Sequence, residues 1–150
     1  MKFKLLTLIL TKMLGIDEEA NKADMHLPTW IAGFGLALIL GGFICIAAFI
    51  ASKQIGLLAI AVILWGISPF ALLCYKNQRI YVISDEEFEY STFTGKMTIY
   101  RFDDIKALRA NNDSMTLFVG EGKVHIEGSA ILSQRLMDLI NAQLAKIHSK

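Results

Sequence analysis

The chain has 150 residues, 54% of them hydrophobic, and its 15 Lys and Arg nearly balance its 14 Asp and Glu. The polar segments are balanced separately as well, with four Lys against four acids in residues 1–28 and ten charges of each sign in residues 76–150. No single-sign field of the kind that recruits nucleic acid is present, so a nucleic-acid partner is not expected.

The opening residues, MKFKLLTLILTKMLGI, place Phe3, Leu6, Leu10, Met13 and Leu14 on one helical face and Lys4, Thr7 and Thr11 opposite. That pattern predicts an amphipathic helix lying on a membrane surface or against the C-terminal part of the chain. A signal peptide is the rival reading. The apolar stretch is short, though, and no small-x-small cleavage pattern follows before Asp17. Residues 1–28 are therefore read as a juxtamembrane segment.

From Thr29 to Tyr75 the only charge or amide is the adjacent pair Lys53 and Gln54. About 20 apolar residues in a helix cross a hydrocarbon core, so 29–51 and 55–75 are predicted as two transmembrane helices. The loop between them, Ser52-Lys53-Gln54, is so short that they must form an antiparallel hairpin. Gly33, Ala37, Gly41 and Cys45 recur every four residues in the first helix and suggest a flat packing face. Its partner would be Ala59 and Gly66 of the second helix, or a second copy of the chain. Trp30 and Tyr75 stand at the outer helix ends, where interfacial aromatics belong, and Pro69 predicts a kink. Lys12 and Lys22 before the hairpin, with Lys76 and Arg79 after it, outweigh Lys53 in the loop. The expected location is the cell membrane, multi-pass, with both termini and the C-terminal domain in the cytoplasm.

Beyond Arg79 the apolar period becomes two. RIYVIS, FEYSTFT, MTIYRF, IKALRA, MTLFV and KVHIE read as six short antiparallel strands in a meander. Turns are expected at Asp85–Glu87, Thr94–Lys96, Asn111–Asp113 and Gly120–Gly122. Ser129 is a candidate cap for a final helix whose apolar stripe is Leu132, Leu136, Leu139, Ile140, Leu144 and Ile147. The fold class expected is an α+β membrane protein: a transmembrane α-hairpin (29–75), then an antiparallel sheet or partly open barrel closed by a C-terminal helix (76–150).

The segment YVISDEEFEYSTFTGKMTIYRFDDIKAL, with two further strands and a helix, resembles the bacterial pleckstrin-homology-like domains over residues 77–148. The shared features are the Tyr-x-Ile-Ser-Asp-Glu opening, the aromatic strand ending in Gly-Lys, and the apolar-x-Asp-Ile step at Phe102–Ile105. The resemblance implies a small sheet domain tethered beside a membrane. A complete domain of that family has one strand more than the six read here. Some of its members hold inositol phosphates through basic residues of the first strand-to-strand loop. Here that loop is Ser84-Asp85-Glu86-Glu87, so phosphoinositide binding is not expected.

Chemistry-bearing residues are scattered. Asp103 and Asp104 are adjacent, and neighbours on a turn point apart rather than into one cavity. His26, His125 and His148 lie in three different segments, Cys45 and Cys74 both fall in the apolar block, and no glycine-rich phosphate loop occurs. No catalytic residue, metal ligand or cofactor is assigned. The expected function is a membrane-tethered binding or assembly module for a protein partner or for self-association. Its candidate sites are a sheet edge and a groove beside Leu132, Leu136, Ile140 and Leu144. The alternative is an immunity or toxin-neutralising membrane protein.

Overall fold

The computed structural model describes residues 22–148, and the amphipathic reading of 1–16 lies outside them. Two long helices, α1 (Thr29–Ser52) and α2 (Ile55–Asn77), form the hairpin. Their 24 and 23 residues correspond to about 36 and 35 Å of helix axis. Both are long and apolar enough to cross a membrane. Lys53, in the left-handed region at φ 59°, turns the chain between them. Large apolar side chains, among them Leu40, Ile44, Val62 and Phe70, point outward from both helices. A water-soluble domain would bury such a row.

The seam between the helices differs from the expected one. Ala32, Gly35 and Gly42 of α1 are buried against Ala61, Ser68 and Tyr75 of α2. Gly33, Ala37, Ala59 and Gly66 are exposed instead, and only Gly41 and Cys45 are half-buried. Geometry gives the reason. A step of four residues turns about 40° past a full turn, so a row of such steps winds off any straight seam, whereas a step of seven drifts only about 20°. Gly35 and Gly42 are seven apart and stay on it. Tyr75, expected at the interface, is only 3% exposed and packs with Leu27 and Ala32 at the base of the hairpin.

After the hairpin come β2 (Arg79–Val82), β3 (Glu87–Ser91) and β4 (Met97–Arg101), a 3-10 turn at Phe102–Asp104, then β5 (Ile105–Ala110), β6 (Ser114–Val119) and β7 (Gly122–Glu127). The six expected strands are all present, each hairpin antiparallel. They do not form one meander. The turn at Phe102 divides them into two sheets, and among the described residues no barrel closes.

Two short strands complete the larger sheet. β1 (Met25–His26) precedes the hairpin and β8 (Ile131–Leu132) precedes the last helix. The five-stranded order is β4-β3-β2-β1-β8, and the second sheet is β5-β6-β7. Residues before α1 and after α2 therefore lie side by side, with Met25 opposite Ile80. The hairpin is an insertion between two neighbouring strands of one sheet, and residues 23–27, read from the sequence as part of a juxtamembrane segment, pack with the domain. Asp24 fastens this junction. Its carboxylate accepts from the Val82 N–H at 2.8 Å and the Ser133 hydroxyl at 2.7 Å, while its main chain bonds Ile80 and Ser133.

The C-terminal helix α3 (Gln134–His148) begins later than expected. Ser133, not Ser129, caps it, its hydroxyl accepting from the Leu136 N–H at 3.2 Å. Ile131 and Leu132 are claimed by β8. Between the sheets and α3 lies the core: Met25, Ile80, Phe88, Phe102, Ile105, Leu117, Val119, Val124, Ile126, Leu136 and Ile140, all buried.

Candidate partner-binding edge

The groove expected beside α3 is filled by the protein itself. Leu136 and Ile140 are 1% and 5% exposed, and Leu132 and Leu144 pack against the same core. Beside α3 lies a cavity of about 70 Å³ lined by Leu108, Met115, Leu132, Met137, Ile140 and Asn141.

The other candidate, a sheet edge, is open. β4 reads Met-Thr-Ile-Tyr-Arg, and its exposure alternates along its length. Thr98 and Tyr100 turn inward, where the Tyr100 ring lies 5.8 Å from that of Phe88 and closes over Gly122. Met97 and Ile99 point out, 67% and 58% exposed. β4 ends the five-stranded order, with β3 its only neighbour among the described residues.

The backbone alternates in the same way. The Thr92 N–H donates to the Lys96 carbonyl and the Phe102 N–H to the Glu86 carbonyl, so residues 96, 98, 100 and 102 direct their polar groups at β3. Met97, Ile99 and Arg101 therefore direct theirs away from it. Strand edges are commonly blunted by Lys, Pro or a bulge. This one carries Arg101, 3.7 Å from Glu86, at its far end. Between that pair and Lys96 the edge is apolar and unblocked.

Several other polar groups make local contacts. In the acidic loop the Ser84 hydroxyl accepts from the N–H groups of Glu86 and Glu87, and Asp85 takes a 2.9 Å contact from Arg135. Asp103 and Asp104 sit exposed in the 3-10 turn, their carbonyls accepting from Gln143 and Gly120. His125 lies outward on β7, 3.3 Å from the Thr116 hydroxyl and 3.2 Å from Glu127. The His125 carbonyl accepts from Gln78 and from the Tyr90 hydroxyl, both at 3.3 Å, so the free edge of β7 is met by the other sheet. Burial raises the pKa of the Tyr90 phenol. Among the described residues, no three His, Cys, Asp or Glu side chains gather as a metal site would require.

Sequence patterning missed the feature that distinguishes the hairpin. Trp65 lies over Gly42, where any Cβ would overlap its indole. It donates from Nε1 to the Ile39 carbonyl at 3.2 Å and meets Phe43 edge-on at 5.0 Å. One turn away, the Ser68 hydroxyl donates to the Gly35 carbonyl at 2.8 Å. Ile39, Phe43, Trp65, Ser68 and Pro69 border an outward-facing apolar crevice of about 530 Å³. The glycines at seven-residue spacing were the available signal.

Comparison with protein-family models, curated proteins and solved structures gives no match to this chain, so the likeness to pleckstrin-homology-like domains rests on the sequence features quoted above.

Proposed function

We propose that this chain is an integral membrane protein whose domain, of pleckstrin-homology-like kind, binds a protein partner or a second copy of itself along β4 at the cytoplasmic face. The observation that carries the reading is the β4 edge, with Met97 and Ile99 exposed beside outward-directed backbone groups. An extended segment added there would gain main-chain hydrogen bonds, and the two apolar side chains would supply selectivity. Tethering by the hairpin raises the local concentration of any partner confined to the same membrane.

The test is photocrosslinking in native membranes from benzoylphenylalanine at Met97 of the full-length chain. A protein adduct is expected from Met97 and not from Lys123 on β7. Ile99→Pro should abolish it, because that N–H faces away from β3 and its loss blocks only an added strand. The mass of the adduct distinguishes a second copy from another protein. An adduct that persists in Ile99→Pro would refute strand addition.

A further inference from the structure

The end of α2 and the turn between β3 and β4 touch. Asn77, the last residue of α2, donates from Nδ2 to the Phe93 carbonyl at 2.9 Å. Strand register explains the contact: Ser91 lies opposite both Arg79 and Met97. β2 runs away from the helix end while β3 runs back toward it, so Phe93 comes to the level of Asn77. The Ser84–Glu87 loop stands at the opposite end of the same strands.

The turn satisfies its own polar groups. The Gly95 N–H donates to the Thr92 carbonyl at 2.8 Å, Gly95 takes the left-handed φ of 83°, and the Thr92 N–H donates to the Lys96 carbonyl at 3.0 Å. The Lys96 N–H donates to the Thr92 hydroxyl at 3.2 Å, and the hydroxyls of Thr92 and Thr94 pair at 2.9 Å. A type I turn closed by such a glycine is a common three-residue hairpin loop. Outward from it points Phe93, 44% exposed, with exposed Lys96 after it and Lys76 in the last turn of α2. An aromatic ring flanked by lysines at the height of a spanning helix end is the composition that favours the headgroup boundary.

We propose that the β3–β4 turn is a third attachment of this protein to the lipid surface. Phe93 enters the upper acyl region and Lys96 meets the phosphates, which fixes the tilt of the domain over the bilayer. The inference rests on the reading of the hairpin as membrane-spanning.

Spin labelling of the full chain in phosphatidylcholine–phosphatidylglycerol nanodiscs tests it. With Cys45→Ala and Cys74→Ala as background, nitroxides are placed by Phe93→Cys and, as a second position on the turn, by Thr94→Cys, which is also exposed. Ile44→Cys reports the hairpin and Asp85→Cys the distal loop. The ratio of oxygen to nickel-chelate accessibility should be several-fold higher at Phe93 and Thr94 than at Asp85, and highest at Ile44. A ratio at the turn equal to that at Asp85, with Ile44 still high, would place the turn in water and overturn the proposal alone. A low ratio at Ile44 would overturn the spanning reading and the proposal with it. Labels at the turn shielded from both reagents would indicate a protein contact and also overturn it.

Discussion

Trp65 and Gly42 show how much a single pair decides in the hairpin. Gly42→Ala should displace the indole and its hydrogen bond to Ile39, at a cost of about 1–3 kcal/mol by the usual scale of overpacking. Gly33→Ala, where no atom lies within 4 Å of the added methyl, is the control. Thermal unfolding in detergent should separate the two, and equal melting would remove the seam assigned here. Asp24 is the corresponding residue in the domain. Asp24→Ala should cost about 1–3 kcal/mol for the hydrogen bonds its charged carboxylate makes with the half-buried Val82 N–H and Ser133 hydroxyl. Asp24→Asn should cost less, since an amide can accept from Val82 and donate to the Ser133 hydroxyl. Tyr90 carries a pH signature. Burial raises its pKa, so the unfolded chain releases this proton first. Its contribution is intact below the ordinary tyrosine value of about 10 and is lost as pH rises through the folded value. Denaturant midpoints between pH 8 and 11 should fall less steeply in Tyr90→Phe. Of these three roles only the first left a trace in the sequence, in the seven-residue spacing of Gly35 and Gly42, because each depends on which residue lies across from it.

At the scale of elements, periodicity was a good guide where it had length to act. The two helices and all six longer strands follow from apolar runs and alternation, and Gly95 and Gly120 occupy the left-handed positions their turns require. What escaped were β1 and β8, which at two residues each have no period to read. Both matter. Met25 is fully buried between β2 and β8, and its side chain alone contributes on the order of 1.5–3 kcal/mol. Residues 76–150 on their own lack β1 and should not unfold cooperatively. A chain in which a short Asn-Gly turn replaces residues 29–76 restores β1 beside β2 and should melt in one transition. Calorimetry of the two polypeptides checks this, and cooperative melting of 76–150 alone would show that β1 is dispensable. The C-terminal stripe teaches the converse lesson. Its apolar spacing was legible, but spacing cannot tell a stripe that waits for a partner from one that closes its own core, as Leu136 and Ile140 do.

For the whole molecule, inserting the hairpin between adjacent strands has a topological consequence. Leu27 packs with Tyr75 and Met25 pairs with Ile80 at the base of one domain, so both helix ends there must lie on the same side of any membrane the hairpin crosses. Lys53 then lies on the other side. The Lys and Arg around the domain end favour the cytoplasm for it, which is where the β4 edge would meet its partner. Cysteine accessibility in intact cells tests this arrangement most directly. In the Cys45→Ala, Cys74→Ala background, a membrane-impermeant maleimide should label Lys53→Cys from outside and reach Glu121→Cys, at the exposed β6–β7 turn, only after the cells are opened. Labelling of both positions from the same side would contradict a membrane-spanning hairpin, and labelling of Glu121→Cys alone in intact cells would reverse its orientation.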